Sequence, residues 1–247
     1  MKIKGVILAG GSGSRLYPLT KVTNKHLLPV GGKPMLQHCV EKLTEAGIDE
    51  ILIVTGGEHV GAIAEFCGGG RDFGCKFTYK VQDEAGGIAQ ALSLAEGFVN
   101  PGEHMCVLLG DNIFEDSLLP TVMSFRLACE QELPPASLVM LKEVQDPERF
   151  GVAEVDEQKI VDIKEKPENP KSNLAVTGVY FYFSDVFDII RMQKPSGRGE
   201  MEITDVNNEY IKREAMIYGI WDGWWTDAGT PESYRKANEL VEWNTED

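Results

Sequence analysis

No acidic residue occurs between Met1 and Val40, although the chain carries 39 acids against 24 bases. Six of the bases fall in that stretch: Lys2, Lys4, Arg15, Lys21, Lys25 and Lys33. The other 207 residues hold 18 bases against all 39 acids. Further absences narrow the field. No apolar run reaches 18 residues, so neither a membrane-spanning helix nor a membrane partner is expected. The four apolar residues before Gly10 are too few for a signal peptide. Five cysteines, odd in number and without a CxxC pair, supply neither a disulfide framework nor zinc spacing. Cys39 and Cys106 lie inside apolar runs and read as buried thiols, which fits a reducing cytoplasm. A formal net charge of −15 argues against wrapping nucleic acid, which needs a basic face. Small phosphate ligands stay open, because surface charge is screened over roughly 8 Å.

Two phosphate-binding signatures are also missing. No Gly-Lys-Ser or Gly-Lys-Thr occurs, so there is no P-loop. Counted from Gly11, the last position of G-x-G-x-x-G is Leu16, which disfavours a dinucleotide-binding dehydrogenase.

What is present alternates. "KIKGVILAG", "EILIVTG", "FTYKVQ" and "MCVLLGD" read as strands, separated by helical patterns in "KPMLQHCVEKLTEAG", "EHVGAIAEFCG" and "GGIAQALSLAEGF". That alternation predicts an α/β fold, a Rossmann-like, mainly parallel central sheet flanked by helices. After about Pro134 longer strands follow in "ASLVMLKEV", "GVAEVDEQKIVDIKEKP" and "LAVTGVYFYF", with a hairpin near Asp156 to Gln158. Helices return in "DVFDIIRMQ" and "ITDVNNEYIKREA", then a strand in "MIYGIW" and a closing helix from about Pro231. The expectation is one domain over 1–247, with a nucleotide-binding half to about 133 and a second half from about 134 that completes the cleft.

In "LAGGSGSRL", Gly10, Gly11 and Gly13 free the backbone to turn and to approach a ligand closely. Successive N–H groups of such a loop can form an anion nest at the carboxyl end of the first strand. Arg15 follows the loop, and Lys25 comes ten residues later. A guanidinium fork and a nearby ammonium, in a stretch without acids, describe a triphosphate cradle. "VLLGDN" puts Asp111 at a strand end and "WWTDAGT" puts Asp227 in a glycine-bounded turn. Either carboxylate could bind Mg2+ or serve as a turn residue or cap. Gln82, at the end of "FTYKVQ", has a carboxamide that matches the donor–acceptor edge shared by thymine and uracil.

These residues carry a resemblance. "LAGGSGSRLYPLTKVTNKHLLPV" resembles the signature of the sugar-1-phosphate nucleotidylyltransferases, G-G-x-G-x-R-L-x-P-L-T followed by K-x-L-L-P-V, and similarity runs through nearly the whole chain. The resemblance, strongest to members that use thymidine nucleotides, implies transfer of a thymidylyl group from dTTP to α-D-glucose 1-phosphate. The products would be dTDP-glucose, for deoxysugar synthesis, and pyrophosphate. It implies Mg2+ on Asp111 and Asp227, and catalytic roles for these two with Arg15, Lys25 and Lys166. It implies nucleotide contacts at Leu8, Gly10, Gly11, Gly13, Arg15, Lys25, Gln82, Gly87 and Asp111. Sugar contacts are implied at Asn112, Gly151, Glu165, Lys166 and Val176. Members commonly carry glutamine where this chain has His26, and often tyrosine at Phe150. A homo-oligomer is likewise implied. Two alternatives stay open: the same chemistry with UTP or another sugar phosphate, and a nucleotide-sugar-sensing subunit without catalysis.

Overall fold

A computed structural model describes residues 1–11, 13–130 and 137–241. In chain order its elements are β1 (Ile3–Ala9), β2 (Pro29–Val30), β3 (Lys33–Pro34), α1 (Met35–Glu45), β4 (Glu50–Gly56), α2 (Val60–Cys67), β5 (Lys76–Gln82), α3 (Ile88–Ser93), β6 (His104–Leu109) and β7 (Asn112–Phe114). Then follow α4 (Leu119–Glu130), β8 (Ser137–Glu143), β9 (Gly151–Asp156), β10 (Lys159–Glu165), β11 (Leu174–Phe183), α5 (Val186–Met192), α6 (Ile203–Lys212), β12 (Met216–Ile220), β13 (Trp225–Asp227) and α7 (Pro231–Leu240).

Apolar runs set the centre of the sheet. β1 is buried at every position, as a strand must be when helices cover both of its faces. It pairs in parallel with β4 on one side and β6 on the other, and β5 extends the sheet beyond β4. Chain order therefore reverses around β1, and the carboxyl ends of β1, β5 and β6 open onto one crevice, where such sheets bind ligands. β11 lies antiparallel to β6 and continues the same sheet into the second half through β8, β9 and β10, with β12 parallel to β8. Nine strands thus form one sheet. Two cores cover its faces, and each draws residues from both halves: Val6 with Tyr180 and Val206 on one, Ile7 with Phe125 and Phe181 on the other.

The alternating strand and helix patterns place most elements, and the β9–β10 hairpin turns where expected, at Glu157 and Gln158, both with positive φ. Three expectations need correction. The helix expected over "GGIAQALSLAEGF" is only Ile88–Ser93, because the chain turns at Leu94 to Phe98 to form the Glu96–Val99 bridge. α4 has no counterpart in the sequence reading: its buried Val122 and Phe125 sit among exposed Leu119, Met123 and Leu127, so no single apolar face stands out. Asp227 closes a short strand, β13, rather than lying in a turn. The boundary expected near 133–134 lies outside the described residues.

Candidate active site

A cleft of about 650 Å³ opens at the carboxyl ends of the central strands. Its lining brings together Leu8, Gly10, Gly11, Arg15, Lys25, Gln82, Gly87, Asp111, Asn112, Gly151, Glu165, Lys166, Val176 and Asp227. Gly13 stands behind the lining: at φ 61° it turns the loop, and its carbonyl accepts from Leu16 N–H and the Thr20 hydroxyl. Of the six bases in the acid-free stretch, only Arg15 and Lys25 line the cleft. Lys2, Lys4 and Lys33 pair instead with Glu50, Glu103 and Glu41. Segregation of charge in the sequence is not segregation in space.

The two aspartates meet through a small strand pair. β7 follows Asp111 directly, and β13 ends on Asp227, with Asp227 opposite Asn112 and the Ala228 amide donating to the Asp111 carbonyl at 2.7 Å. Gly229 follows, and a β-carbon built there would lie 3.3 Å from Asp111 Oδ2, 3.4 Å from Arg15 Nη2 and 3.6 Å from Asp227 Oδ2. Three charged tips converge on a space that any side chain at 229 would fill.

Each carboxylate faces a cation. Lys25 Nζ donates to Asp111 Oδ2 at 2.5 Å, both side chains being largely buried. Burial raises the Asp111 carboxyl, but Lys25, His26 and the Asn112 amide outweigh it and hold the group well below the usual carboxylate range. Asp227 goes the other way. Burial first, then the Asp111 charge, push it up to about 6 against the pull of Arg149, Arg15 and Lys25. The two carboxylates thus crowd each other despite the cations beside them. Oxygen-only donors of this kind suit Mg2+, which takes one or two carboxylates and completes its shell with phosphate oxygens and water. Among the described residues no group of three or more acidic, His or Cys side chains forms a closed metal cage. The donor set therefore fits a metal that arrives with a phosphate ligand.

At the end of β10, Glu165 accepts from the Thr204 hydroxyl at 2.7 Å and from Arg198 at 3.2 Å. Lys166 has φ 42°, unusual for a residue with a side chain, and its amide donates to the Phe150 carbonyl at 2.9 Å. Backbone held in this way at a cleft rim is typical of positions fixed for function. Asn112 is buried: its oxygen accepts from Gly178 N–H and Trp225 Nε1–H, both at 2.8 Å, and its amide donates to Asp111 Oδ1. Its side chain joins β7, β11 and β13 where the resemblance implies a sugar contact.

At the end of β5, Gln82 Oε1 lies 2.5 Å from where a Gly10 β-carbon would be, so glycine at 10 makes room for it. Gln82 Nε2 donates to Gln90 Oε1 at 2.5 Å and to the Gly87 carbonyl at 3.5 Å. Gly87, at φ 96°, is where the second half reaches across. Its β-carbon would meet Met201 O at 2.6 Å, and the Met201 amide donates to Gly86 O while Met201 O accepts from Ala89 N–H.

Sequence reasoning missed Arg149, which binds Asp146 at 2.6 Å and Asp227 at 3.2 Å and stacks over Phe150. Its partner lies 78 residues away, and only the fold reveals the pair. Gln90 was hidden for the reverse reason: it is one polar position on a helix that reads as ordinary amphipathic pattern. His26 also lines the cleft, buried, with Nδ1 donating to Asn24 Oδ1 at 2.7 Å. Burial, then the Lys25 charge, lower it to about 3, so it stands neutral at ordinary pH.

A switch-point crevice with a glycine loop, two cations and two apposed aspartates defines a nucleotide-handling transferase, and the chain belongs to the nucleotidyl transferase family, which it matches over residues 4–244. Among curated relatives, glucose-1-phosphate thymidylyltransferase of Neisseria gonorrhoeae is 42% identical over 245 residues, covering 97% of this chain and 83% of its own. The enzyme of the same name from Xanthomonas campestris pv. campestris is 43% identical over 242 residues, covering 97% and 80%. A crystal structure of a candidate glucose-1-phosphate thymidylyltransferase from Bacillus anthracis, solved with a sucrose, superposes with a TM-score of 0.92 at 54% identity, over 99% of this chain and 97% of that one. A UDP-glucose pyrophosphorylase complexed with UDP-glucose follows the same fold at TM-score 0.85 and 29% identity.

Proposed function

We propose that the chain transfers a thymidylyl group from dTTP to α-D-glucose 1-phosphate, releasing pyrophosphate and giving dTDP-glucose. The observation that carries the reading is the convergence of Asp111, Asp227 and Arg15 around Gly229, in a cleft that also holds Lys25, Gln82, Glu165 and Lys166. Relatives named for this activity at about 42% identity over nearly the full chain support the choice of substrates.

The nucleophile needs no activation. A sugar phosphate oxygen is already anionic, and the neutral, buried His26 is no proton acceptor. The oxygen attacks the α-phosphorus of dTTP as the bond to the bridging oxygen of the β-phosphate breaks, and pyrophosphate carries that electron pair away. The protein's task is alignment and positive charge. Glu165 holds sugar hydroxyls and Lys166 steers the sugar phosphate. Arg15 and Lys25 receive the triphosphate, Lys25 leaving Asp111 for phosphate oxygens. Arg149, freed from Asp227 in the same way, adds charge between the substrates. Asp111 and Asp227 would hold Mg2+, which would supply Lewis-acid charge to the phosphoryl group being transferred. Gln82 Oε1 accepts from the pyrimidine ring N–H. UTP is then the nearest competitor, because the thymine methyl is worth about 0.8 kcal/mol of burial.

The test is pyrophosphate release with Mg2+ and glucose 1-phosphate across dTTP, UTP, CTP, ATP and GTP. Turnover strongest with dTTP is expected. Turnover confined to a purine nucleotide would overturn the reading of Gln82, and no turnover with any of the five would overturn the proposal.

A further inference from the structure

The apposition of Asp111 and Asp227 depends on a strand pair of three residues a side, too short to fix its own register. A slip of one residue would move Asp227 by about 3.3 Å and turn its side chain to the other face. Something beyond the pair must hold it. The turn that leads into β13, Trp221 to Gly223, is gripped on both of its polar faces.

Its carbonyls converge on Lys142, half-buried near the end of β8. The Lys142 ammonium donates to Trp221 O at 3.0 Å, Asp222 O at 3.2 Å and Gly223 O at 2.7 Å. An ammonium has three N–H donors, and these three contacts match that number. Its amides face carboxylates just past β7. Gly223 N–H donates to both oxygens of Asp116, at 3.1 and 3.0 Å, and Trp224 N–H donates to Glu115 Oε2 at 3.1 Å. Glycine at 223 permits this, since a β-carbon would lie 2.5 Å from Asp116 Oδ1 and 2.7 Å from Glu115 Oε2. Lys42 in turn donates to the Glu115 and Asp116 carbonyls at 2.8 and 3.0 Å, tying that segment to α1.

The geometry points to Lys142 as a positioning residue for the metal site: its ammonium draws three carbonyls together, seats the turn against Asp116 and Glu115, and so fixes the register that sets Asp227 beside Asp111. Lys142 touches neither aspartate and does not line the cleft. Charge-assisted bonds of this kind are about twice as strong as neutral ones, so removing the ammonium leaves three converging carbonyls with no common donor. The inference rests on the reading of Asp111 and Asp227 as metal ligands.

The test is a Mn2+ titration of the full chain, followed by electron paramagnetic resonance, in the presence of the α,β-methylene analogue of dTTP. Lys142→Met keeps the stem and removes the charge, Lys142→Arg restores the charge, and Asp227→Asn reports the site itself. Losses of metal affinity on removing an outer support commonly run 10- to 100-fold. Lys142→Met is expected to weaken Mn2+ about tenfold and to raise the Mg2+ concentration for half-maximal turnover equally. KM for glucose 1-phosphate should stay within about twofold, and Lys142→Arg should recover most of the loss. A merely structural role would lower the melting temperature without moving the metal curve, or would not be rescued by arginine, and either result overturns the assignment. Should Lys142→Met not fold, Asp116→Asn carries the test, with a smaller shift expected in the same direction and an unchanged curve overturning it. If Mn2+ binds the wild type and Asp227→Asn alike, the reading of the metal site fails and the assignment goes with it. If Asp227→Asn abolishes binding while Lys142→Met leaves it intact, the assignment fails alone.

Discussion

At residue scale, Gly229 shapes the charged site by the side chain it lacks. Gly229 lies outside the left-handed region of backbone space, so alanine fits its conformation, yet the added methyl would occupy the point where Asp111, Asp227 and Arg15 meet. Gly229→Ala should keep the melting temperature within a few degrees and lower kcat tenfold or more, measured by pyrophosphate release. His26 acts on stability instead. Its folded-state pKa of about 3 lies below the ordinary value of 6.5, so the unfolded chain takes up a proton that the folded one refuses. The stability it contributes is complete above pH 6.5 and is lost as pH falls toward 3. Between pH 7 and 5 the loss is about 2 kcal/mol, at 1.36 kcal/mol per pH unit. Asp227, raised to about 6, shifts stability the opposite way over this interval, so the check is a comparison: in urea melts at the two pH values the wild type should lose about 2 kcal/mol more than His26→Gln.

At the scale of elements, the crossing of the 200–201 segment over Gly87 ties the start of α3 to the segment before α6 at the cleft. That segment pairs its backbone with Gly86 and Ala89, and Glu200 joins the cleft lining. Gly87→Ala meets a positive φ and a 2.6 Å approach to Met201 O, so it should cost roughly 1–3 kcal/mol in chemical denaturation. It should also raise KM for dTTP and glucose 1-phosphate together, whereas a residue that only touched the base would raise KM for dTTP alone. The sequence shows Gly87 as a helix start but not what crosses it. The elements it shows well are those whose signal is local. β1 carries an unbroken apolar run from Val6 to Ala9, and α1 has Pro34 before it, one apolar face and Gly47 after it. β13 is invisible for the opposite reason: three residues carry no period, and Trp225 becomes a strand residue only because Asn112 and Phe114 await it.

Across the whole molecule, the site was legible wherever a motif sits at a strand end, since the crevice collects the carboxyl ends of β1, β5 and β6. That placed Gly10, Gln82 and Asp111 without coordinates. Arg149 was not legible, because nothing in its neighbourhood points to Asp227. The acid-free stretch misled in part, as half of its bases answer acids elsewhere. The pairing of β6 with β11 has a consequence for dissecting the protein. β6 is buried at all but its last position, with a ladder on each side, so a fragment ending at residue 130 would present a bare apolar edge where β11 belongs. Expressed alone, residues 1–130 should sediment as aggregates, and supplying residues 131–247 in trans should return part of the material to solution. Residues 1–130 are therefore not an exchangeable cassette: grafting them onto a different second half requires a matched seam, whereas substitutions within the crevice leave the seam intact.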